Sequence, residues 1–255
     1  MQRVRDAAVK HSFVDLHLCP NLEDPDETRL IIEKSAELGY KAIGVPLSPK
    51  IPQSEIEKIN KICREVGLDL IRRIDLEPAN TTELLKSLRL LRRRVEVISV
   101  RCISKSVARQ AAKDRRVDVL SFSPLNMKKR FFDSAEAELA SKTSVSLEFD
   151  LAPLLYLQGY RRVRLLSKMR EETFIAKKYG VPIILSSGAN NVNLLRKPEA
   201  YASLGYLFGL DLSDAKKSLS DIPREIIERN RRKLDLNYVA PGVYVIRRGK
   251  DCPDG

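Results

Sequence analysis

Short apolar runs recur along this chain, separated by polar stretches whose apolar residues fall at helical spacing. FVDLHL (13–18), KAIGV (41–45), LDLIRRIDL (68–76), VEVISVRC (95–102), VDVLSF (117–122), VSLEFD (145–150) and VPIILSS (181–187) read as seven buried strands. Between the runs lie helix signals. Asp24 is a helix cap with Pro25 at the first helical position and Glu27 at the capping-box position, and Gly39 ends that helix. A second helix spans about Ser54 to Val66 and stops at Gly67. Asn80 and Glu83 open a third, which carries Leu84, Leu85, Leu88 and Leu91 on one side. A short helix near 104–113 and a long one ending at Tyr179 complete the alternation.

Apolar runs alternating with helices mean βα units and a parallel sheet. No stretch between the units has the composition of a linker. The pattern predicts one domain over 1–255, an α/β fold: a distorted TIM-like (β/α) barrel with seven or eight parallel strands. The rival arrangement is an open doubly wound sheet. An eighth strand belongs near 205–212, although YLFGLDL reads equally well as a helix end. From about 221, IPREIIERNRRKL and VAPGVYVIRR read as a helix and an extended tail outside the repeat.

Composition narrows the chemistry. The 255 residues suffice for a full core, yet include only two histidines, too few for a histidine-rich metal centre. No run reaches the roughly 18 apolar residues of a membrane span, and the N-terminal stretch lacks the apolar segment of a secretory signal. Cys19, Cys63, Cys102 and Cys252 show no CxxC spacing and read as reduced thiols, so the expected location is cytoplasmic, with no membrane partner.

In a parallel barrel the working face lies at the C-terminal ends of the strands. Those ends carry Asp15 and His17, Ser48, Arg72, Arg73 and Asp75, Ser99 and Arg101, Ser121 and Ser123, Glu148 and Asp150, and Ser186 and Ser187. Asp15-Leu16-His17-Leu18-Cys19 resembles the first-strand D-x-H-x-H of barrel metallohydrolases, with Cys19 in place of the second histidine. His11 precedes the first strand and belongs at the opposite end. Asp15, His17 and Cys19 therefore read as the remnant of a metal site that holds no metal. A weakly held Mg²⁺ on Asp15, Asp75 and Asp150 is the competing reading. GxSxG, P-loop and GxGxxG motifs are absent. The turn Ser186-Ser187-Gly188-Ala189-Asn190-Asn191 offers small residues whose N–H groups can face an anion, with Arg196 and Lys197 just beyond.

The net charge of +12 adds a polyanionic partner to the picture. Residues 61–116 hold 15 basic and 7 acidic side chains, most of the excess. Arg72, Arg73, Arg101 and Lys105 are expected at the working face, and Lys128, Lys129 and Arg130 add to it from the next loop. Arg92, Arg93 and Arg94 belong at the other end. Arg161, Arg164 and Lys168 share one face of the long helix. The chain has no tryptophan, so recognition of RNA through Arg and phosphate fits better than base stacking.

FVDLHLCPN, the helix followed by GYKAIGV, RRVDVLSFSP (115–124), VPIILSSGAN (181–190) and LRKPEAYASLGYLFGL (195–210), in this order, resemble the ribonuclease P protein component 3 family over about residues 12–233. The resemblance implies a barrel related to the PHP-like metallohydrolases without their metal set. It implies a protein subunit of the ribonucleoprotein that removes the 5′ leader of precursor tRNA, with catalytic Mg²⁺ carried by the RNA and no cofactor held by this chain. Ribonuclease P RNA, protein component 2 and further ribonuclease P proteins are the implied partners. The compact length points to the archaeal branch. Two other readings stay open: a free-standing metal-dependent phosphoesterase using Asp15, His17 and Asp150, and a scaffold whose basic surface binds acidic proteins.

Overall fold

The computed structural model describes residues 12–235, 237–240 and 243–245, so His11 and Cys252 lie outside the described residues. Strands β1 (Val14–Asp15), β2 (Ala42–Pro46), β3 (Asp69–Leu76), β4 (Val97–Arg101), β5 (Val119–Ser121), β6 (Ser146–Asp150) and β7 (Ile183–Ser186) pair in parallel in that order. Each boundary between strands is crossed by helix: α1 (Pro25–Glu37), α2 (Gln53–Glu65), α3 (Thr81–Leu91), α4 (Lys105–Ala112), α5 (Ser134–Ser141), then α6 (Ala152–Tyr156) with α7 (Gly159–Tyr179). After β7 come α8 (Pro198–Leu204), α9 (Leu212–Ser218) and α10 (Asp221–Leu234), and a small antiparallel pair, β8 (Tyr238–Ala240) and β9 (Val243–Tyr244). Among the described residues no helix is long and apolar enough to cross a membrane.

The sheet curls into a nearly closed barrel. Its seam joins β1 to β7 through a parallel bridge between Leu18 and Ala189. The Cys19 N–H donates to the Ala189 carbonyl at 2.9 Å and the Gly188 N–H to the His17 carbonyl at 2.8 Å. No eighth strand enters the sheet among the described residues, because Gly205–Phe208 form a 3₁₀ turn that leads into α9. YLFGLDL is thus a helix end. The open doubly wound alternative is excluded by the sequential strand order and by the seam.

The helix starts follow their local chemistry. Asp24 Oδ1 accepts the N–H groups of Asp26 and Glu27 at 3.0 Å each, and Asn80 Oδ1 accepts that of Glu83 at 2.9 Å. Close packing of β1 on β2 demands a glycine, since a Cβ on Gly44 would stand 2.2 Å from the Leu16 carbonyl oxygen.

Two apolar layers result. The outer one lies between the sheet and the helices α1–α9. The inner one fills the lower barrel with Val14, Leu16, Ala42, Ile71, Val97, Val119 and Ile184, and Ile226 and Ile227 of α10 complete it. The C-terminal helix expected outside the repeat is therefore the plug of the barrel's N-terminal end. Asp118 fixes it there: its carboxylate accepts Asn230 Nδ2 at 2.7 Å, Arg229 Nη2 at 3.0 Å and the Ile98 N–H at 2.9 Å, together with Arg92. Asn230 Nδ2 also reaches the Glu96 carbonyl at 2.8 Å.

Candidate functional site

Above the apolar layer the barrel interior becomes ionic. Inward positions alternate along a strand, so Ile71, which belongs to the inner layer, places Arg73 and Asp75 on the same side. β6 contributes Glu148 and Asp150 by the same parity. Arg73 is fully buried, and its Nη1 and Nη2 donate to the two Glu148 oxygens at 2.6 Å each. Its Nε donates to Asp75 Oδ1 at 2.6 Å and Nη1 also to the Leu16 carbonyl at 2.9 Å. Ser186 Oγ donates to Glu148 Oε1 at 2.7 Å. Toward the mouth, His17 Nδ1 lies 2.7 Å from Asp150 Oδ1, while Nε2 lies 3.0 Å from Asp75 Oδ2 and 3.1 Å from Cys19 Sγ.

These groups set one another's charge. Burial and the Arg73 charge work against protonation of His17, but Asp150 and Asp75 outweigh them and hold the imidazole well above its usual range. Burial works against ionisation of Asp75, yet Arg73 and His17 hold its carboxyl well below the ordinary value. Asp150 is likewise lowered, against burial, mainly by His17. Arg73 loses solvation but stays charged between Asp75 and Glu148. The mouth is thus a closed set of two cations and three carboxylates.

His17, Glu148 and Asp150 offer ligand atoms within 4.8 Å of one another, the spacing of a metal site. Their surroundings do not fit a metal ion. Both oxygens of Glu148 receive the Arg73 fork, and both nitrogens of His17 face carboxylates. A divalent ion entering here meets a guanidinium already seated on both Glu148 oxygens. The Mg²⁺ reading on Asp15, Asp75 and Asp150 fails on placement too, since Asp15 lies in the seam: its Oδ1 accepts the N–H of Ser187 at 2.9 Å and of His17 at 3.3 Å. Burial pushes the Asp15 carboxyl up, opposed by the hydrogen bonds from Ser187.

The other predicted contacts divide sharply. Arg73 is an internal cation and has no surface on which to meet a phosphate. Arg130 is also buried: its Nε donates to Glu172 Oε1 at 2.9 Å, its Nη2 pairs with Glu172 Oε2, and its Nη1 donates to the Phe122 carbonyl at 3.1 Å. The turn at Ser186, Ser187 and Gly188 does not present donors to an anion. Ser187 N–H goes to Asp15, Gly188 N–H to the His17 carbonyl and Ala189 N–H to Ser187 Oγ at 3.1 Å. Gly188 has φ +58° and packs against Asp150, so the turn serves the seam.

Arg72 points outward from β3 rather than to the mouth, and its Nε donates to Glu96 Oε2 at 2.9 Å. It lines a groove with Leu47, Arg93 and Arg94. Four cations do stand exposed or half-exposed around the mouth: Arg101, beside Glu77 at 3.6 Å, Lys105 at the start of α4, and Lys128 and Lys129 in the turn after β5. Arg161 and Arg164 of α7 border the same turn through Leu125 and Met127. Arg196 is exposed in the loop after β7, with Nη1 on the Asn193 carbonyl at 2.7 Å. Sequence reasoning missed the Arg73–Glu148 and Arg130–Glu172 pairs. A signal for the first was present, because Arg73 and Glu148 both hold inward positions by strand parity, Arg73 two residues from Ile71.

The whole barrel matches known proteins. Ribonuclease P protein component 3 of Methanococcoides burtonii is 30% identical over 238 residues, which span 92% of this chain and 95% of that protein. The Methanosarcina barkeri protein of the same name is 32% identical over 231 residues, 88% of this chain and 93% of its own. Among solved structures, a chain in the cryo-EM structure of archaeal ribonuclease P with mature tRNA superposes with a TM-score of 0.79 at 22% identity, covering 93% of this chain and 100% of that one. A crystal structure of an amidohydrolase shares the barrel at a TM-score of 0.54 and 10% identity, covering 87% and 75%. The profile of the family described as RNase P subunit p30 matches residues 12–235, from the first barrel strand through the plug helix. With two relatives at 30% identity or above across nearly their full length, the chain belongs to the RNase P subunit p30 family.

Proposed function

We propose that this chain is a protein subunit of ribonuclease P and is not itself catalytic. It supports the catalytic RNA in removing the 5′ leader of precursor tRNA in the cytoplasm, and the RNA carries the Mg²⁺ that does the chemistry. The observation that carries this reading is a family match spanning a barrel whose mouth carboxylates are each already paired with Arg73 or His17. A mouth saturated by its own cations has no open ligand position at which to activate water.

In this reading Arg101, Lys105, Lys128, Lys129 and Arg196 contact RNA phosphates, and a separate surface meets protein component 2 and the further protein subunits. Guanidinium and ammonium groups on a rim suit a phosphate backbone, whose contacts position the protein without reading sequence. Five such contacts give a slope of log affinity against log salt of roughly −3.5 to −4.5.

The experiment is reconstitution. Purified chain is mixed with cognate ribonuclease P RNA and component 2, and cleavage of precursor tRNA is followed at limiting Mg²⁺. A gain in rate over RNA with component 2 alone is expected. No gain across the Mg²⁺ range overturns the assignment, and so does cleavage by the chain without RNA.

A further inference from the structure

The barrel mouth holds a ligand set whose atoms are already engaged by side chains of the fold. His17, Glu148 and Asp150 converge within 4.8 Å, as three protein ligands of a divalent cation do. Beside them stands Arg73, fully buried, which donates four hydrogen bonds: two to Glu148 at 2.6 Å each, one to Asp75 at 2.6 Å and one to the Leu16 carbonyl at 2.9 Å.

 The guanidinium therefore ties β3 to β6 and to the end of β1, and an ion held by His17, Glu148 and Asp150 would tie β6 to that same end of β1.

Charge makes the same point. Arg73 and His17 face Asp75, Glu148 and Asp150, two cations against three carboxylates. Without the guanidinium the set carries one imidazolium and three carboxylates, an excess of negative charge that suits a divalent cation. The space vacated by the side chain adjoins both Glu148 oxygens, which its loss frees.

We propose that Arg73 is a built-in substitute for a divalent cation, so that the native mouth takes up none and removal of the guanidinium opens a divalent-cation site on His17, Glu148 and Asp150. This inference does not depend on the ribonuclease P role, and its test uses no activity.

The test uses Mn²⁺ as the probe, with the full chain as wild type, Arg73→Ala and Arg73→Gln. The glutamine keeps a donor for the Leu16 carbonyl and guards against loss of folding in the alanine variant. Free Mn²⁺ is read by its electron paramagnetic resonance spectrum and stability by thermal unfolding. The wild type should leave the spectrum unchanged and its Tm unmoved by Mn²⁺ or chelator. At least one variant should bind about one ion per chain and gain about 5 °C in Tm at saturating Mn²⁺. Adding Asp150→Asn to that variant should abolish both effects. Stoichiometric uptake by the wild type that Asp150→Asn removes overturns the proposal. So does the failure of both variants to bind Mn²⁺, whether they are folded or unfolded.

Discussion

Arg130 offers the sharpest test of how this barrel uses its positive charge. It ends the run Met127-Lys128-Lys129-Arg130, where three adjacent cations read as one RNA-binding loop. The structure separates them. Lys128 and Lys129 are exposed, whereas Arg130 turns inward to Glu172 of α7, and its Nη1 caps the Phe122 and Ser123 carbonyls at 3.1 and 3.3 Å. Arg130→Ala leaves the Glu172 carboxylate buried without its cation and frees two backbone acceptors. Breaking one side of a buried pair costs about 3–5 kcal/mol, because the remaining charge keeps its desolvation penalty. For a domain of this size that corresponds to a fall in Tm of about 6–15 °C. Replacing both members by apolar residues, Arg130→Met with Glu172→Leu, should recover most of the loss.

Urea unfolding of the three variants gives the stability cycle, and filter binding to cognate RNA at fixed salt gives affinity. Arg130→Ala, measured where it is fully folded, should bind RNA within about twofold of wild type. Lys128→Ala with Lys129→Ala should do the reverse: unchanged unfolding and a salt slope shallower by about 1.4 to 1.8. A loss below about 1 kcal/mol for Arg130→Ala, accompanied by weakened RNA binding, refutes the internal assignment.

Three further perturbations address the frame around the mouth. Glu136 is buried in α5, and burial, reinforced by Asp133, pushes its carboxyl up to about 8. The folded state therefore holds a proton that the unfolded state releases near pH 4.5, so this group's contribution falls as pH rises to about 8 and levels off above it. Glu136→Gln should flatten the unfolding free energy between pH 6 and 8 by up to about 1.4 kcal/mol per pH unit, and parallel profiles for variant and wild type would refute it. Asn230→Ala removes the two hydrogen bonds that Asn230 donates, to Asp118 and to the Glu96 carbonyl, and should cost about 2 kcal/mol by urea unfolding with little change in the m-value. Gly44→Ala forces a methyl against the Leu16 carbonyl between β1 and β2 and should destabilise by about 3 kcal/mol, a tolerated alanine contradicting the close approach.

The barrel was legible because its signals are local. Seven apolar runs, a cap at Asp24 with Pro25 behind it, and glycines at the helix ends each act within a few residues, and each reappears in the folded chain. The plug was harder to read. Ile226 and Ile227 show an apolar face on a charged helix, but only the closed barrel reveals that this face completes the layer of Ile71 and Val97. The eighth strand stayed ambiguous because YLFGLDL has the apolarity of either element, and the β1–β7 bridge removes the need for it.

The site was less legible, and arginine is the reason. A guanidinium suits an exposed phosphate and a buried carboxylate by the same fork geometry, so residue type alone does not separate the two uses. Parity separates them in part. Arg73 shares the inward side of β3 with Ile71, whereas Arg72 shares the outward side with Ile74 and pairs with Glu96. Parity still does not name the partner, because Glu148 lies 75 residues away and meets Arg73 only across the closed barrel. A strand arginine with inward parity, facing an inward glutamate on another strand, is therefore better read as part of the interior than as part of the basic face. Applied here, that reasoning moves Arg73 from the expected RNA contacts to the mouth and leaves only the rim cations among the proposed ones. It also explains why so basic a chain keeps an intact ionic core: part of its positive charge never reaches the surface.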